Sequence, residues 1–182
     1  MPKTITSAEH IKQLELLHDY LDEDGWEVTL KAPDKENPLH MLVVSILSED
    51  DHNQVLWNME LSFVPIPAAN LSDVSILQCF IPLANDFAGL LKPDLFEMIT
   101  KLNTKLPIVG FGFLDDYKLL YYKHNMMLPN AETPIKGLVL SESLSMITYL
   151  VSTYTGPLIT VATGEKSMTD VINDLQAQKL FS

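Results

Sequence analysis

The chain has 182 residues, a length that suits one domain able to bury about 70% of its unfolded surface without disulfides or metal. Its 47% apolar content is that of a globular protein. The formal net charge is −12, and all twelve basic residues are lysines, which argues against phosphate-rich partners such as nucleic acid and against anionic membrane surfaces.

Seventeen residues, Ser7 to Glu23, read as a first helix. Thr6 and Glu9 form a capping box, Ile11, Leu14, Leu17 and Leu21 share one face, and Gly25 supplies the left-handed stop. Strands follow at Trp26 to Leu30, Leu39 to Leu47 and Gln54 to Val64. The third alternates cleanly: Val55, Trp57, Met59, Leu61 and Phe63 face a core, while Asn58, Glu60 and Ser62 face water. After the linker "PIPAANLSD", Pro65 to Asp73, the segment Val74 to Leu83 is apolar on both faces, which predicts a central strand or one that meets a partner.

A second helix is centred on Pro93 to Leu106 and ends at Pro107. "FGFLDDYKLLYYKHNMML", Phe111 to Leu128, is a hairpin with its turn near Asp115 and Asp116. The pattern predicts a third helix over Ser141 to Tyr154, stopped by Gly156 and Pro157, then a short strand at Leu158 to Thr163 and a helix capped by Ser167 with Asp170. The expected fold is α+β, an antiparallel sheet with helices mainly on one face and a C-terminal strand–helix extension. Residues 1–155 form one domain, and 156–182 the extension packed on or beside it.

Reactive chemistry finds little support. "TGEKS", Thr163 to Ser167, lacks the contiguous Gly-Lys-Ser/Thr of a phosphate loop, because Glu165 separates Gly164 from Lys166. The glycines of "GFG", Gly110 to Gly112, mark a bulge or a close backbone approach. His10, His18, His40, His52 and His124 show no metal-ligand spacing, and the acidic clusters at 21–25, 48–52 and 114–116 read as solvated turns. Cys79, the single cysteine, reads as a buried, inert thiol that fits a reducing, cytoplasmic setting. No catalytic, cofactor-binding or metal residues are expected, and no membrane span, since no continuous apolar run approaches ~18 residues. The candidate partner-binding face is Tyr121, Tyr122, Lys123, Met126 and Met127 on the second arm of the hairpin.

The stretch "LQCFIPLANDF", then "LFEMITKLNTKLPIVGFGFLDDYKLLYYKHNMMLP", resembles the YbjN-like family. The shared pattern is a strand ending in "PL", a helix carrying Leu102–Asn103 before Leu106–Pro107, and a hairpin with Tyr121, Tyr122 and a basic residue, Lys123. That family is described as bacterial sensory transduction regulators with the fold of type III secretion chaperones. The resemblance implies an α+β domain, often dimeric, that binds other polypeptides and has no known catalytic residues. The expected activity is non-enzymatic protein binding, chaperone-like or regulatory, by a homodimer. The alternative is a small-ligand binder or enzyme whose site is assembled from distant residues. A second reason to expect a dimer is that one layer of helices covers only one side of a sheet whose strands are apolar on both faces.

Overall fold

A computed structural model describes residues 7–35, 37–47, 55–65, 73–85, 87, 92–130 and 134–181. Thr6, the acidic turn at 48–52 and most of the 65–73 linker lie outside them. The elements are α1 (Ser7–Glu23), β1 (Val28–Lys31), β2 (Met41–Leu47), β3 (Val55–Phe63), β4 (Val74–Ala84), α2 (Lys92–Asn103), β5 (Phe111–Leu114), β6 (Leu119–Pro129), α3 (Pro134–Thr163) and α4 (Met168–Ala177). The strands form one antiparallel sheet in the order β1-β2-β3-β4-β6-β5, so the fold is α+β and the doubly apolar β4 is central. Contacts divide the chain into two compact units: residues 1–81 with 124–145, and residues 82–123 with 146–182. β4, β6 and α3 each contribute to both.

In the first unit, Leu14, Leu17 and Leu21 of α1 are buried at helical spacing. Gly25 then adopts φ 89°, and the Trp26 amide closes on the Leu21 carbonyl at 2.9 Å, ending the helix in the left-handed conformation glycine permits. Register carries Leu30 to Leu42 to Leu61 to Cys79 across four strands, and Leu42, Leu61 and Cys79 are fully buried. The His10 ring stacks on Phe63 at 4.8 Å, placing α1 on this same face. In β3 the alternation holds for Met59, Leu61 and Phe63, all buried, with Asn58 exposed. Trp57 is only half-buried. It sits beside a register shift between Ile46 and Leu47, where the regular pairing of β2 with β3 breaks. Glu60 is half-buried rather than wet, opposite Val43 on one side and Phe80 on the other.

In the second unit, α2 buries Leu95, Met98, Ile99 and Leu102. The Asn103 side chain accepts from the Phe111 amide at 3.2 Å and donates to its carbonyl at 2.8 Å, clipping the helix end to the start of β5. Phe111 meets Tyr122 and Tyr154 edge-on at 5.0 and 6.5 Å.

The C-terminal region corrects the sequence reading. Leu158 to Thr163 is not a strand. It is the last part of α3, which runs 30 residues straight through Gly156 and Pro157. The expected domain boundary at residue 156 therefore falls inside a helix. An interior proline costs a helix about 3 kcal/mol. Yet Leu150, Val151, Tyr154, Leu158, Val161 and Ala162 are all buried at 3-4 spacing, one unbroken face that passes through the proline. Each large buried aliphatic side chain contributes roughly 1.5–3 kcal/mol, so packing outweighs the local penalty. By length and composition α3 is also long and apolar enough, over 136–163, to cross a membrane. A core helix passes the same test, and α3 supplies much of the core. The helix capped by Ser167 forms as expected. The Ser167 hydroxyl accepts from the Asp170 amide at 3.1 Å and Gly164 turns the chain at φ 73°.

Candidate functional site

Strand periodicity divides the candidate binding face. β6 buries Leu120, Tyr122, Met126 and Leu128, while Lys123, Asn125 and Met127 are exposed and Tyr121 is half-buried. Tyr122 is fully buried and its hydroxyl donates to the Ile108 carbonyl at 3.1 Å, so it anchors the hairpin. Met126 packs in the core of the first unit. The face left open along β6 is therefore Tyr121, Lys123 and Met127, the last 71% exposed.

The two glycines of the hairpin explain how Tyr121 is held. A Cβ at Gly110 would lie 1.9 Å from the Lys123 carbonyl oxygen, where the two backbones exchange a 2.8 Å hydrogen bond from the Lys123 amide. A Cβ at Gly112 would lie 2.4 Å from the Tyr121 ring, which rests on the bare backbone opposite it. The turn is closed by Lys118 at φ 46°, and Asp115 pairs with Lys92. Tyr117 at the tip is 75% exposed.

Sequence reasoning passed over the outer side of α3. Beside its buried face, Leu138 and Val139 are exposed in the first unit, and Met146 and Tyr149 in the second. It also passed over the buried polar anchors of the first unit. Lys136 is 7% exposed and donates to the Gln13 side chain at 3.1 Å. The Ser141 hydroxyl accepts from the Trp26 indole at 3.1 Å and donates to the Asp24 carboxylate, so one member of the first acidic cluster has a structural partner. These pairs join residues more than 110 positions apart, and no local pattern announces them.

The second unit contains a cleft of about 380 Å³. One wall is α3, through Thr153, Gly156, Pro157 and Thr160. The other is α4, through Val171, Asp174 and Leu175, with Gln178 just past its end and Glu165 and Lys166 at the connecting turn. The Tyr154 hydroxyl donates to the Leu180 carbonyl at 2.5 Å and fastens the chain beyond α4 to α3. The Lys166 ammonium lies 2.8 Å from the Asp174 carboxylate. That contact holds its pKa above the usual lysine value, with Glu165 and Asp170 adding in the same sense.

Other reactive groups are accounted for by packing. Burial pushes the Cys79 thiol far up, away from the thiolate form that reacts. Burial against Phe63 lowers His10, with Glu9 opposing. Among the described residues no three of His, Cys, Asp and Glu are grouped to hold a metal ion. No family model, no curated protein and no solved structure matches this chain.

Proposed function

We propose that this chain is a non-enzymatic protein-binding module, chaperone-like or regulatory, acting in the cytoplasm through apolar surfaces on an acidic body. The observation that carries this reading is the outer side of α3. Leu138, Val139, Met146 and Tyr149 are between 40% and 53% exposed on a helix whose other side is core. A helix with one side in the core normally turns a charged and polar side to water, whereas here these four large apolar residues share the outer side with Glu142, Ser145 and Ser152. Large apolar side chains left in water on one element mark a contact surface. The resemblance to the YbjN-like family points the same way, as does the open part of β6 with Tyr121, Lys123 and Met127. In this reading the protein also self-associates as a homodimer.

The test is capture of partners from the native cytosol by the wild-type chain and by a Met146→Asp/Tyr149→Asp variant, with sedimentation of both. A partner held by the wild type and lost by the variant supports the reading. So does a wild-type species of twice 20.5 kDa that the variant reduces to 20.5 kDa. A monomer with identical capture by both chains overturns it.

A further inference from the structure

The cleft between α3 and α4 holds a feature that helix packing does not require. Gly156 and Pro157 are both poor residues for a helix interior, together costing about 4 kcal/mol relative to alanines. Gly156 is exposed, and a Cβ there would meet nothing within 4 Å, so no close approach demands glycine. Pro157 has no N–H, so the helix cannot satisfy the Thr153 carbonyl in the usual way. Thr153, Gly156 and Pro157 all line the cleft. The pair thus adds no side-chain bulk at Gly156 on the cleft wall, and at Thr153, which also lines the cleft, the carbonyl lacks the N–H that residue 157 would otherwise supply.

The charge around that acceptor is negative. Glu165 and Asp174 line the cleft, and the only lining cation, Lys166, is already held by Asp174. An anion is disfavoured, because the start of α4 is already occupied by the Ser167 hydroxyl and the Asp170 carboxylate. A single metal ion is disfavoured too, since the carboxylates do not converge. What remains is a larger cation with several N–H donors. Val171, Leu175 and the Pro157 ring offer apolar surface for its hydrocarbon part. The volume, about 380 Å³, lies within the range of small-ligand sites.

We infer that this cleft binds the ammonium or guanidinium group of a short aliphatic amine, with the Thr153 carbonyl and the Glu165 carboxylate as its acceptors. The same chemistry is offered by a free amine and by a lysine or arginine side chain of another polypeptide. The inference does not depend on the outer side of α3.

The experiment is titration of the labelled full chain with agmatine and, separately, with N-acetyl-arginine amide, following the backbone amide resonances of Gly156, Thr160 and Gln178. N-acetyl-norvaline amide is the uncharged control. Saturable shifts with a cation and none with the control are expected. Tighter binding of agmatine assigns the site to free amines, and tighter binding of the arginine amide assigns it to a basic side chain. Pro157→Ala restores the N–H to the Thr153 carbonyl and should weaken binding about tenfold while raising the unfolding temperature, a combination that a purely structural role would not give. Glu165→Gln should weaken binding by a similar factor, and Gly156→Met should fill the cleft and abolish it. Absence of saturable shifts with both cations overturns the proposal, as does unchanged affinity in Pro157→Ala and Gly156→Met.

Discussion

α3 carries two glycines, and they do opposite things. Gly137, near its start, is buried against the Tyr20 ring of α1, where a Cβ would lie 2.3 Å from a ring carbon. Gly156, nineteen residues later, faces open space. The first glycine is required by a close approach of helix to side chain. The second is required by nothing in the fold. A glycine in a helix is therefore not one signal but two. Only its surroundings separate a packing constraint from a locally unfavourable residue retained for another purpose.

Substitutions separate the two cases. Gly137→Val should have the largest effect, a loss of about 3 kcal/mol or failure to fold, because a branched side chain is driven into the root of the Tyr20 ring. Urea unfolding reads it, and a stable variant would refute the close-approach account. Pro157→Ala should move stability the other way, by up to about 3 kcal/mol, since α3 regains a hydrogen bond and loses a ring clash. The alanine pair sharpens the contrast. Gly156→Ala should gain about 1 kcal/mol, the ordinary helix benefit, while Gly137→Ala should lose stability despite the same benefit. Equal signs for the two would remove the distinction.

The smallest expected effect lies on the sheet. Burial raises the Glu60 carboxyl above the usual 4.5, with Lys31 partly opposing. The folded chain therefore holds this proton more tightly than the unfolded chain. Its contribution to stability is full below about pH 4.5 and is lost as pH rises through the folded-state pKa. Glu60→Gln should unfold at a slightly higher temperature than wild type at neutral pH, and the difference should vanish in acid. Thermal melts across pH 3.5 to 7.5 check this, roughly one unit below the usual value and three above.

How much of this was legible in the sequence depended on the reach of each cause. Causes acting over a few residues were readable: the left-handed Gly25, the Ser167 cap, the alternation Met59–Leu61–Phe63, and the close backbone approach at Gly110. The end of α3 was not. The Gly156–Pro157 pair is a strong local stop, and only the tertiary burial of Leu158, Val161 and Ala162 overrides it. The candidate face on β6 was half legible. Period-two alternation separates Tyr121 and Lys123 from Tyr122, but which side meets the core is set by elements far away in sequence. The Trp26–Ser141–Asp24 chain and the Lys136–Gln13 pair had no local signature at all.

Cys79 has a practical consequence of its own. It is the sole thiol in the chain and has no exposed surface at the middle of β4, the central strand. A thiol reagent therefore reaches it only when the sheet opens. The rate of labelling under native conditions is then a direct clock for that opening, and the slow, reagent-limited regime converts into an opening free energy. The native sequence supplies this probe at a single position without any engineered label. Each variant discussed above can be ranked by how fast its one sulfur becomes modified.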